Sequence, residues 1–175
     1  MSRHTARTVW QRGEARFTDN AYSRRHEWQF DGGAVVAASS SPHVVRVPWS
    51  DPAAVDPEEA FVASLSSCHL LWFLSIAAAA GWCVESYVDD AVGLMRPDAA
   101  GKPWVAEVVL RPVVTYSGAA PSATEEAALH HRAHEECFLA RSVRSEVRVE
   151  PAVLSGVEAP RDGASTGDDA ADAAP

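Results

Sequence analysis

The chain has 175 residues, 47% of them apolar and 22% charged, with six tryptophans and a formal net charge of −9. That is enough for one globular domain with its own core, and an acidic balance without a Lys/Arg cluster argues against a nucleic-acid partner. Three cysteines and no amino-terminal apolar run argue against a secreted disulfide framework, so a reducing, cytoplasmic setting is expected.

Short strands are expected over Arg7 to Arg12 and Glu27 to Phe30. Asp31-Gly32-Gly33 then supplies a hairpin turn before the β-branched run Ala34 to Ala38. Ser39 to Val55, rich in Ser, Pro and Asp and without a sustained period, reads as a loop long enough to cover a site. Asp56-Pro57-Glu58-Glu59 then announces a helix: an Asp cap, Pro at the first helical position and an acid three residues after the cap. The helix should run to about Ala80, with Gly81 as its stop. Ser64, Ser66, Ser67, His69 and Ser75 interrupt its apolar run, so a buried core helix is expected and no membrane span. Apolarity on nearly every side implies that a second subunit packs against it.

Val84 to Met95 and Val105 to Tyr116 read as two long antiparallel strands around the turn Asp98-Ala99-Ala100-Gly101, with Pro112 marking a bulge or an edge. Ser122 with Glu125 opens a second helix that ends near Glu136, and Val143 to Val149 forms a last strand. Strands, helix, strands, helix is an α+β order, placed in residues 1–150. Residues 151–175 are Ala, Gly, Ser, Asp and Pro with five acids against Arg161, which reads as an acidic, Ala-rich disordered tail.

Cys68, in Ser66-Ser67-Cys68-His69, and Cys137, in His134-Glu135-Glu136-Cys137, each stand in a polar patch at the edge of an apolar segment. Reactive thiols need such neighbours, whereas inert ones sit among small apolar residues. Cys83, between Trp82 and Val84, reads as inert and structural. Cys68 lies about 18 Å along the helix from its cap, too far for the N-terminal dipole to activate it, so a cation must come from elsewhere. Arg24 and Arg25 are the candidates and Glu58 the acid that would orient them. Glu58 and Cys68 on one straight helix are about 15 Å apart, so a shared site requires either a later helix start or Glu58 donated by a second chain.

Asp56-Pro57-Glu58-Glu59-Ala60-Phe61 followed by Ser66-Ser67-Cys68-His69, and His130-His131-Arg132-Ala133-His134-Glu135-Glu136-Cys137-Phe138, resemble the two signature segments of the OsmC/Ohr family of thiol-dependent hydroperoxide reductases, in its OsmC-like branch. Tyr22-Ser23-Arg24-Arg25-His26 is similar to that family's amino-terminal loop, and the likeness spans roughly residues 8–150 with its spacing kept. The resemblance implies an α+β, OsmC-like fold: antiparallel sheets wrapped around two long central helices in a domain-swapped homodimer, with active sites at the subunit interface. It implies that Cys68 is the peroxidatic thiol and Cys137 the resolving thiol. Arg24 would be the cation stabilising the thiolate, with Arg25 as alternate, and Glu58 the carboxylate orienting it. The partners implied are an organic hydroperoxide, an external dithiol reductant and a second copy of the chain, with no cofactor and no metal. Arg141 departs from the family pattern, which often has Asn there, and adds a positive charge near Cys137.

Two other readings compete. His130, His134 and Cys137 share a spacing that would hold zinc with Cys68 as fourth ligand. Alternatively, Phe61, Trp72 and Phe73 would line a pocket for a small apolar ligand without catalysis. His69, about 100° around the helix from Cys68, reads as a core or pocket-lining residue rather than its direct partner.

Overall fold

A computed structural model describes residues 2–151; the expected acidic tail lies outside them from residue 152 onward. The first sheet is an antiparallel meander of β1 (Ala6–Val9), β2 (His26–Phe30) and β3 (Val35–Ala38). The expected hairpin turn closes it, with the Gly33 N–H donating to the Phe30 carbonyl at 3.0 Å and Gly33 at φ +86°, a conformation that favours glycine. The first strand stops at Val9 rather than Arg12, because Trp10 turns into a loop and donates its indole N–H to the Ser23 carbonyl at 2.8 Å. Residues 39–55 form the expected loop, whose ends are tied by Ser39 N–H donating to Val55 O and Val55 N–H to Ala37 O, both at 3.0 Å.

Helix α1 (Pro57–Ala79) begins where its signals place it. Asp56 accepts from the Glu59 N–H at 2.8 Å while Glu59 accepts from the Asp56 N–H at 3.0 Å, a complete capping box. At its end Trp82 N–H reaches back to Ala77 O and Gly81 N–H to Ala78 O, with Gly81 at φ +86°, the glycine-terminated stop expected. By length and composition α1 would cross a bilayer, but it packs on a second helix, α2 (Ala123–Glu136), and on the sheets. Its outer side remains uncovered in a single chain: Leu71 is 67% exposed.

The two long strands expected after α1 each break in two. Val84 to Met95 becomes β4 (Val84–Asp89) and β5 (Val92–Pro97), and Val105 to Tyr116 becomes β6 (Pro103–Leu110) and β7 (Pro112–Tyr116). The antiparallel pairing holds across the break, β4 with β7 and β5 with β6, but in separate sheets. Asp89 makes the corner: its carboxylate accepts from the Arg111 N–H at 2.6 Å and from Ser66 Oγ of α1 at 2.5 Å. Pro112 sits at the first position of β7 and is fully buried, so it marks a strand start rather than a bulge. The last strand, β8 (Glu146–Val149), is shorter than expected and runs parallel to β6, so the sheets are not wholly antiparallel.

Two apolar clusters hold these layers on α1. Phe73, Ile76 and Ala77 meet Leu129 and Ala133 of α2 and Val114 of β7, while Leu65 meets Val108 and Leu110 of β6. Near the start of α1 the strand β5 approaches so closely that a Cβ on Gly93 would stand 2.6 Å from Val62 Cγ2.

Candidate functional site

Cys68 projects from α1, half-buried, and Cys137 caps the C-terminal end of α2, 1% exposed. The packing of α2 on α1 makes the two thiols neighbours that perturb one another, and both are free. The Ala140 N–H also donates to Cys137 Sγ at 3.4 Å. Burial, and then the contact with Cys68, push the Cys137 thiol up to about 11, so it is held protonated at neutral pH. Cys68 opens onto a cavity of about 300 Å³ lined by Leu71, Trp72, Ser75 and Phe138, with Trp72 and Phe138 edge to face at 5.5 Å. One sulfur thus faces an apolar cavity and the other waits behind it. Arg141, in the short 3-10 turn Ala140–Ser142, is exposed.

Arg24 and Glu58 lie together, but not with the cysteines. They line a second cavity of about 350 Å³ with Trp10, Tyr22 and His26. The Arg24 guanidinium is held from behind: it donates to the carbonyls of Asn20 and Tyr22 and to Asn20 Oδ1 at 2.6 Å, and lies 3.9 Å from the Tyr22 ring centre. These partners leave it positively charged and, among the described residues, without a carboxylate bonded to it. Arg25 differs, since it is exposed and forms an ion pair with Asp51. Because α1 starts at Pro57, Glu58 is in its first turn, which removes the option of a later helix start. Glu58 and Cys68 are then about 15 Å apart along the axis within one chain.

The other histidine and cysteine readings sort differently. His69 is 1% exposed and turned into the core, where its Nε2 lies 3.0 Å from Nδ1 of His130, so it does not line the cavity at Cys68. The zinc set is not assembled: His130 is engaged with His69 and Cys137 with Cys68, and among the described residues no three His, Cys, Asp or Glu side chains form a metal-holding group. Nor do Phe61, Trp72 and Phe73 share a pocket, since Phe73 is fully buried and Phe61 packs on the Leu65 cluster. Cys83, expected to be an inert core thiol, is exposed in the turn before β4.

Two features escaped the sequence. Trp10, Phe17 and Tyr22 cluster in the loop after β1, with Phe17 stacked on Tyr22 at 4.7 Å and Trp10 edge-on to Tyr22, and Trp10 and Tyr22 form cavity wall beside Arg24. Three aromatics in an otherwise polar segment were the available signal. The His69–His130 contact joins residues 61 apart, and no local pattern announces it.

Burial keeps both members of this pair neutral, with His69 lowered to about 3, its neighbours His130 and His134 adding to the effect, and His130 lowered to about 4. The unfolded chain takes up these protons near the ordinary value of 6.5, so acid favours unfolding from there downward. Stability should be fully present above about pH 7 and fall by on the order of several kcal/mol toward pH 4. Urea midpoints measured across that range check it, and a flat profile would contradict it.

An OsmC-like protein of unknown function from Vibrio cholerae is 55% identical, with a TM-score of 0.84 over 87% of this chain and 100% of that one. An organic hydroperoxide resistance protein from Elizabethkingia anophelis shares the fold at 16% identity, with a TM-score of 0.64 over 86% of this chain and 94% of that one. Another, from Legionella pneumophila, does so at 15% identity, with a TM-score of 0.61 over 87% and 98%. No curated protein matches the chain. The family model for the OsmC-like protein matches residues 50–152, a span that starts before α1 and takes in both Cys68 and Cys137. With that span matched and a whole-length relative at 55% identity, the chain belongs to the OsmC family.

Proposed function

We propose that the protein is a thiol-dependent peroxidase that reduces organic hydroperoxides to alcohols. One observation carries this reading: an accessible Cys68 on an apolar cavity, backed by a buried, protonated Cys137 in contact with it. That asymmetry suits a sequence in which Cys68 attacks first and Cys137 second. The Cys68 thiolate attacks the distal peroxide oxygen, the O–O bond breaks, and the alkoxide takes a proton and leaves as the alcohol. Cys137 then attacks the sulfenic sulfur of Cys68, its proton leaves with the hydroxyl as water, and a disulfide remains. An external dithiol reduces that disulfide and is itself oxidised. Two proteins that share the fold are named for organic hydroperoxide resistance, which adds to the reading without carrying it.

Arg24 is proposed as the cation that stabilises the Cys68 thiolate and Glu58 as the carboxylate that orients it. Their separation from Cys68 within one chain, and the uncovered side of α1, favour a domain-swapped homodimer in which a second copy contributes both. The test is thiol counting under an organic hydroperoxide: loss of two thiols per chain supports the peroxidase, and retention of all three overturns it.

A further inference from the structure

Among the described residues the interface between α1 and α2 is apolar, built from Phe73, Ile76, Ala77, Leu129 and Ala133, apart from one side-chain hydrogen bond between the two helices. That contact is the His69–His130 pair, with ring nitrogens 3.0 Å apart, rings parallel within 8°, and residues 1% and 2% exposed. Phe73 stacks on the His130 ring at 4.3 Å, which fixes the plane of that ring. Apolar side chains are indifferent to small rotations and slides of one helix on another. A buried hydrogen bond is directional, and breaking it strands two polar atoms out of water.

The position of the pair relative to the thiols gives it a consequence. His69 follows Cys68 directly in α1. His130 precedes Cys137 by two turns of α2, about 10 Å along its axis and nearly on the same face. Fixing His130 against His69 therefore fixes both the rotation and the height at which the end of α2 meets Cys68. Disulfide formation tolerates only about 2 Å of variation in Cα separation, whereas a one-residue slip turns a helix by about 100°. We infer that the His69–His130 hydrogen bond is a positioning device that holds α2 in register on α1 so that Cys137 can form a disulfide with Cys68. Buried polar contacts set register in just this sense in other helix pairings.

The inference rests on the peroxidase reading only for its biological use, since the register can be read with any dithiol oxidant. Under an organic hydroperoxide, Cys68–S–OH and Cys137–SH give the disulfide and water. Under diamide the two thiols give the same disulfide, and the N=N bond takes up the two hydrogens. His69→Leu and His130→Leu fill the space but remove the bond. His69→Gln and His130→Asn keep a donor or acceptor near the Nε2 and Nδ1 positions, respectively.

In the full-length protein the leucine variants should slow Cys68–Cys137 disulfide formation by roughly tenfold or more with both oxidants. Sulfenic acid formation at Cys68 under the hydroperoxide should stay within about threefold. The Gln and Asn variants should recover most of the disulfide rate. A purely structural role would lower the melting temperature and leave the ratio of the two rates unchanged, and that result overturns the inference. If circular dichroism shows that the leucine variants do not fold, the amide variants decide: a wild-type rate ratio upholds the inference, and a lost one overturns it. A wild type inert to hydroperoxide but oxidised by diamide, with the leucine variants slow, would sink the peroxidase reading and leave the positioning role intact.

Discussion

Replacing Cys68 with serine should abolish multiple-turnover consumption of an organic hydroperoxide, by more than about 10³-fold in kcat/KM, because among the described residues no other sulfur faces the cavity lined by Trp72 and Phe138. Replacing Cys137 with serine should have a different effect. The first half of the reaction survives, so one equivalent of hydroperoxide is reduced per chain and Cys68 stops at a sulfenic acid that a dimedone-type reagent captures. The contrast follows from burial, since Cys137 is shielded and held protonated at about 11, and cannot substitute as the attacking thiolate. Retained turnover in Cys68→Ser, or wild-type turnover in Cys137→Ser, would break the assignment of roles. Cys83 lies outside this scheme, and Cys83→Ser should leave the rate within about twofold.

The second large effect is expected at Arg24. Its guanidinium is clamped by Asn20 and Tyr22 beside Glu58, whereas Arg25 is exposed and paired with Asp51. Arg24→Ala should slow oxidation of Cys68 by roughly 10²-fold, the usual scale for removing one preorganised charge, and Arg25→Ala by less than about threefold. Because the Arg24 and Cys68 cavities are separate within a chain, the two residues should act across a subunit interface. Mixing Cys68→Ser chains, inactive alone, with Arg24→Ala chains, about a hundredfold slowed alone, should then restore about one quarter of wild-type activity after subunits exchange at random. Stopped-flow oxidation rates and the mixing assay check both statements. No recovery on mixing would place Arg24 and Cys68 in the same chain's site.

Much of this was legible because it is written locally. The capping boxes of Asp56 with Glu59 and of Ser122 with Glu125, the Gly81 stop and the Gly33 turn are each set by residues within a few positions of one another. Both cysteine segments sat on those well-marked helices, so the pair could be named before its contact was seen. What was not legible depends on partners far away in sequence. The corner that splits the long strands is made by Asp89 reaching Ser66 and the Arg111 backbone, and no period in the strands encodes it. The parallel pairing of β8 with β6 depends on where α2 returns the chain. His69 read as a core or pocket-lining residue; the structure places it in the core, and its partner, 61 positions away, had no local signal.

The most direct measurement is disulfide mapping after purified protein meets one equivalent of an organic hydroperoxide. The expected result is a fall from three free thiols per chain to one, with Cys68 and Cys137 recovered in a single disulfide-linked peptide pair and Cys83 still reactive. Three free thiols and an unreduced hydroperoxide would contradict the account.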